Sequence, residues 1–210
     1  MTSSGGRLSY GGSSCGEVRL WYESVLGWPT VPGEPVRLAV GVRFDVLDVP
    51  VVAGVAALAR LEGSECEGFP VALCGSRMRL LVAAGSAAEL PGLLEWLEWG
   101  APLELDLTAV GAGGVMEAPA PFPPAPAAPS VGFGACACAR GSSQGAAVWL
   151  RPPGQERGAE ASLPTLSAMG TRRALGDCDS PPDLVRLVNT VATEIHRVRL
   201  RRDSQALAFS

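Results

Sequence analysis

Residues 42–50, VRFDVLDVP, place the tightest limit on what this chain can fold into. The run is apolar and β-branched, and it breaks at Val49-Pro50, because proline donates no ladder hydrogen bond and fixes its own φ. A strand therefore ends near Pro50 and carries Asp48 at its mouth. Strand side chains alternate with a period of two, so Asp45 and Asp48 face opposite sides of the sheet and cannot share one ion. A two-metal site would need a second carboxylate at position 50, and Pro50 stands there.

The rest of the chain has to supply a core for that strand, and 210 residues suffice for one domain that does so. A net charge of −4 and a pI near 5.1 argue against non-specific coating of nucleic acid, which calls for a basic balance, and leave room only for a local basic groove. All 17 basic residues are arginine, a composition bias whose physical consequence is a set of stiff, bidentate donors. The six cysteines (Cys15, Cys66, Cys74, Cys136, Cys138 and Cys178) lack the dense spacing of a small secreted scaffold, which points to reduced thiols. The first residues lack an apolar signal region, and no run reaches the roughly 18 apolar residues of a membrane span. The expectation is a soluble cytoplasmic protein with no membrane association.

Residues 1–14 are Gly/Ser-rich and are expected to be disordered. Val18, Trp21, Tyr22 and Val25 fall at helical spacing and predict a helix over 17–26, stopped by Gly27. Residues 36–40 form a β-rich run that Gly41 separates from the central strand, so the two are either one kinked strand or two. A helix over 52–62 should follow the central strand after a short turn. Apolar runs 70–74 and 78–83, joined by Gly75-Ser76-Arg77, read as a β-hairpin. Ser86-Ala-Ala-Glu89 has the form of a capping box for a helix reaching Trp99, with Pro91 early enough to cost little. Residues 103–107 alternate, with leucines on one face and Glu104 and Asp106 on the other, and the glycine-rich 110–117 should turn back into a short strand.

Proline and alanine dominate 118–129, a loop of polyproline II character. Residues 146–150 are a last strand, stopped by Arg151-Pro152-Pro153. Residues 154–179 read as a flexible linker, and 180–203 as a C-terminal helix packing on the domain through Leu184, Val188, Val191, Ile195 and Val198. Thus 15–153 form an α+β domain, a mixed or antiparallel sheet backed by helices.

In order and spacing, GWPTVPG, FDVLDVP, ALARLE, CGSRMRLLVAAG, ELPGLLEWLEWG, LELDLTAVGAGGVMEAP and VWLRPP resemble the N-terminal domain of bifunctional DNA primase/polymerases. This is the prim-pol branch of the archaeo-eukaryotic primases, and the resemblance is to its divergent, stand-alone actinobacterial-type members over about 21–153. It implies a prim-pol-like fold. Enzymes of the family hold two divalent ions, Mg²⁺ or Mn²⁺, on a paired-carboxylate strand motif, with a hairpin histidine for the nucleotide phosphate and an aspartate on a later strand. Matched residue by residue, Asp48 takes the first carboxylate and Pro50 the place of the second. Arg79, or Met78 one step away, takes the histidine's place, and Asp106 matches the late aspartate. The cysteine/histidine insertion that some members carry after the GWPVVPG-like segment is absent here.

In-line nucleotidyl transfer by two metals needs a clamp on both the attacking and the leaving oxygen, and half of that clamp is missing. Asp48 and Asp106 are the tentative catalytic and metal-ligating residues, against the alternative of solvated strand-end acids. Arg77 and Arg79 are the tentative nucleotide-phosphate donors, against the alternative of a solvated hairpin face. Gly111 to Gly114 lacks the Gly-Lys-Ser/Thr ending of a phosphate loop and reads as a β-turn. Cys136 and Cys138 are too few for a zinc site. His196, the one histidine, reads as a solvated helix residue, and Trp21, Trp28, Trp96 and Trp99 as core. Arginines 197–202 fit pairing with the dipole of the helix C-terminus, or else contact with nucleic acid or an acidic partner. Three functions stay open: a catalytically degenerate prim-pol-like module binding nucleotide, single-stranded nucleic acid or a protein; an active metal-dependent nucleotidyltransferase using Asp48 and Asp106; and a structural module that pairs with a partner through its C-terminal helix.

Overall fold

The computed structural model describes residues 15–61, 68–100, 104–121, 147–154, 159–166 and 183–208. Within them the elements run α1 (Cys15–Trp21), a π-helical turn (Tyr22–Leu26), β1 (Thr30–Val31), β2 (Arg37–Ala39), β3 (Phe44–Pro50), α2 (Val51–Leu61), β4 (Val71–Cys74) and β5 (Arg77–Ala83). Next come α3 (Ser86–Trp96), β6 (Thr108–Val110), β7 (Val115–Glu117), β8 (Ala147–Arg151), a 3-10 turn (Ala159–Ser162) and α4 (Leu184–Ala208). The strands form two sheets, β6-β3-β5-β4-β8 and β1-β2-β7, and every strand pairing in them is antiparallel. The class is α+β with a C-terminal helix, as expected.

The central run forms β3 and ends at Pro50, but no turn separates it from α2, which begins at the next residue. Gly41 does divide two strands, and these belong to different sheets. At Gly41 the chain passes so close to Ala112 that an added Cβ would lie 2.2 Å from its Cα, so only glycine fits. The hairpin is confirmed with a two-residue Gly75-Ser76 turn, Gly75 at the position where positive φ is needed, and Arg77 already in the strand.

One face of the five-stranded sheet carries Leu47, Val49, Met78, Leu80 and Val82 and is covered by α2, α3 and α4. α2 comes so close that a Cβ on Gly54 would lie 2.4 Å from the Met78 sulfur. The α4 stripe is the expected one. Leu184, Leu187, Val188, Val191 and Ile195 are buried against this core, and Val198 packs on it partly buried, so the stripe is used within the chain. The other face carries Phe44, Val46, Ala72 and Leu81 and packs on α1, the π-helical turn and the small sheet. Trp28 lies between Tyr22 and Phe44, and the Tyr22 hydroxyl donates to the Pro119 carbonyl at 2.7 Å while accepting from Trp149 Nε1 at 3.0 Å.

Several expectations fail for reasons of packing. Ser86 is not an N-cap; it is the first helical residue and is buried, and the α3 amides are held instead by Asp45, whose Oδ2 accepts from Gly85 N at 2.9 Å and Ala87 N at 2.8 Å. Pro91 is the sixth residue of α3, past the first turn, where its missing N–H does remove a helical hydrogen bond. Trp96 is 63% exposed rather than core, and Trp99 lies beyond the helix end, donating to Asn189 Oδ1 of α4 at 2.9 Å. His196 is half-buried against the Trp99 ring, not solvated.

Residues 104–107 are not a strand, although Leu105 and Leu107 do point to the core and Glu104 and Asp106 outward. Part of the expected linker is packed: Ala159 and Leu163 join the second core, and Thr165 bridges Asp183. Helix α4 continues to Ala208 with no basic residue in its last turn, so the arginines at 197–202 stand too far upstream to answer the terminal dipole. The expectations for 1–14, for the proline-rich loop from residue 122 onward, and for Cys66, Cys136, Cys138 and Cys178 lie outside the described residues.

Candidate functional site

The period of two that separates Asp45 from Asp48 also decides what each meets. Asp45 shares its face with Leu47 and Val49 and holds the start of α3. Asp48 shares the opposite face with Val46 and, unlike it, is not part of the second core and is only partly buried. Pairing of β3 with β5 sets Asp48 opposite Arg79 and Pro50 opposite Arg77. Because Met78 and Leu80 turn inward to the helices, Arg77 and Arg79 both turn toward Asp48.

The resulting geometry is a closed ion network. Arg77 Nε donates to Asp48 Oδ1, its Nη2 donates to the Asp48 carbonyl at 2.9 Å, and its Nη1 donates to Asp106 Oδ1 at 2.6 Å. Arg79 Nε donates to Asp48 Oδ2 at 3.4 Å. Asp48 thus spends both carboxylate oxygens on arginine. Its side chain is 17% exposed and that of Arg77 29%, so the pair is shielded from solvent, whereas Asp106 is 59% exposed and its arm is the weaker one. Burial works against the Arg77 charge, but hydrogen bonds and Coulomb attraction from Asp48 and Asp106 outweigh it and raise the pKa.

All four residues singled out from the sequence therefore meet, with one shift of place: Asp106 lies in a bend ahead of β6, not on a strand. Two further residues were not foreseen. Cys74, at the end of β4 and paired with Arg77 across the hairpin, donates its thiol proton to Glu117 Oε2 of β7 at 3.7 Å and so links the two sheets. Burial pushes the Cys74 thiol pKa up; Arg79 opposes this, and Glu117 and Asp48 add to it. The hairpin register could have found Cys74. Nothing in the local pattern announces Glu117, because it arrives from the other sheet.

One atom of the site is unfinished. Arg79 Nη1 is buried and has no hydrogen-bond partner. A buried donor on a charged group left in that state costs roughly 1–3 kcal/mol or more until an acceptor oxygen reaches it.

Comparison with family models, curated proteins and solved structures finds no match to this chain. The site thus has to be read from its own chemistry. A pair of divalent cations does not fit it: the two carboxylates already share one guanidinium, and among the described residues no three His, Cys, Asp or Glu side chains gather into a ligand set. Among those residues, too, no helix is long and apolar enough to cross a membrane.

Proposed function

We propose that the chain is a prim-pol-like, catalytically degenerate binding module that takes a nucleotide or the end of a single-stranded nucleic acid, without turnover, at the cluster formed by Asp48, Arg77, Arg79 and Asp106. The observation that carries this reading is the unpaired Arg79 Nη1, a buried donor beside carboxylates that are already neutralised. A phosphate or base oxygen is the complement of such a donor, and arginine is suited to either. Pro50 in the place of the second carboxylate supports the absence of turnover, since the leaving and attacking oxygens then lack a shared metal clamp. Reduced thiols fit a cytoplasmic setting for such a module.

The test is a thermal melt of the full chain with a nucleoside triphosphate and with a short oligothymidylate, run beside primer extension in Mg²⁺ and in Mn²⁺. Binding to the folded state alone raises stability by about 2.7 kcal/mol at a hundredfold excess over Kd. The expected result is a concentration-dependent rise in Tm that Arg79→Ala removes, with no extended primer. No rise with either probe would refute the binding reading. Extended primer that disappears in Asp48→Ala and Asp106→Ala would establish the active enzyme in its place.

A further inference from the structure

We infer that the Arg77 guanidinium is a resident cation, standing in for a divalent metal between Asp48 and Asp106, so that the site receives its ligand without metal. This rests on the binding reading for the word ligand only; the assignment of Arg77 stands on geometry. Three nitrogens of one guanidinium are committed, Nε to the Asp48 carboxylate, Nη2 to the Asp48 carbonyl and Nη1 to the Asp106 carboxylate. Those are contacts that a cation held by two acids and a backbone carbonyl would make. The strand register explains how the guanidinium comes to be there: Arg77 is paired across the sheet with Pro50, the position at which a second carboxylate would have to stand. The sheet thus carries a positive group where the acid is missing, and Arg77 is anchored by its own strand on a side chain that is largely enclosed.

Charge makes the substitution exclusive. Asp48 and Asp106 contribute −2, and Arg77 and Arg79 contribute +2, so the four groups sum to zero. A divalent ion entering beside Arg77 would meet like charge, and that repulsion is only weakly screened in a half-buried site. The ion can enter only by displacing the guanidinium, which would then lose two carboxylates at once. An anionic or polar ligand meets no like charge at Arg79, whose Nη1 is buried and makes no hydrogen bond.

The experiment follows Mn²⁺ binding to the full chain by electron paramagnetic resonance, with no nucleotide present, in the wild type, Asp48→Asn, Arg77→Ala, Arg77→Gln and Arg77→Ala/Asp48→Asn. Far-UV circular dichroism checks that each is folded, and Arg77→Gln, which keeps bulk and a donor, serves if the alanine variant is not. The expected result is that removing the guanidinium charge tightens Mn²⁺ binding by at least about tenfold over the wild type, and that the gain is lost with Asp48→Asn. A wild-type chain whose Mn²⁺ binding falls with Asp48→Asn would overturn the inference, as would folded Arg77 variants with no gain. In parallel, the nucleoside triphosphate melt of the wild type is repeated in EDTA and in Mg²⁺, and equal shifts are expected. A shift that needs Mg²⁺ would also overturn it. If no nucleotide shift occurs in either buffer while the Mn²⁺ pattern holds, the binding reading fails and the Arg77 assignment survives.

Discussion

At the scale of single residues, the alternation within FDVLDVP was legible and consequential. It put Asp45 and Asp48 on opposite faces, and each face gave its acid a different task. What Asp45 does was not legible, because the amides it holds lie about 40 positions further on and the false signal Ser86-Ala-Ala-Glu89 sits beside them. Asp45→Ala leaves the amides of Gly85, the residue before α3, and of Ala87 in its first turn without their acceptor and should cost about 2 kcal/mol by urea denaturation, whereas Ser86→Ala, lacking any cap to lose, should cost less than half of that. Glu98 closes α3 at φ 64°, a left-handed position that suits glycine. Glu98→Gly is expected to stabilise the chain by about 0.5–1 kcal/mol, and a lower urea midpoint would contradict the assignment.

Tyr22 gives a residue-scale prediction in pH. Burial pushes its phenol pKa far up, with the hydrogen bond from Trp149 opposing, so the folded chain keeps a proton that the unfolded chain releases. That contribution is complete below pH about 10, where the unfolded phenol is still protonated. Above it, the unfolded state binds fewer protons, and stability falls by up to about 1.4 kcal/mol per pH unit. Urea titrations from neutral pH upward should show the fall in the wild type and a shallower one in Tyr22→Phe; equal slopes would remove Tyr22 from the explanation.

At the scale of elements, the segments that obey a strong local period were readable: β3, the β4–β5 hairpin and the α4 stripe. The failures come where tertiary contact decides. Residues 159–166 have no period of their own, yet they pack because Leu163 fills the second core and Ala83 donates to the Pro164 carbonyl at 2.9 Å. Trp96 looked like core by its chemistry, but its side of α3 meets solvent. In α4 the two halves differ: the first buries one stripe and exposes Arg186 and Asn189, and from Arg199 to Gln205 every side chain is exposed. Removing residues 199–208 should therefore leave Tm within a few degrees of the full chain, even though the Arg199 bond to the Glu104 carbonyl is lost. Leu187→Ala, at a fully buried position, should cost about 2–5 kcal/mol. A truncation as damaging as Leu187→Ala would show that the exposed turns contribute to the fold.

For the whole molecule, class and order of elements could be read from the sequence, since alternation, helical stripes and turn residues mostly agreed with one another. The split into two sheets could not, because β6 and β7 are neighbours in sequence with only a glycine-rich turn between them and yet join different sheets. The site was half legible for the same reason. Asp48, Asp106, Arg77 and Arg79 could be named, and their mutual engagement could not, since it depends on the register that sets Pro50 against Arg77. That engagement is the core of the functional reading, and a double-mutant cycle on Asp48 and Arg77 measures it most directly. With Asp48→Ala, Arg77→Ala and the double variant compared by urea denaturation, a coupling of at least about 1.5 kcal/mol is expected for a shielded, charge-assisted contact. Additive losses, with a coupling below about 0.5 kcal/mol, would mean that the two side chains do not form the network described.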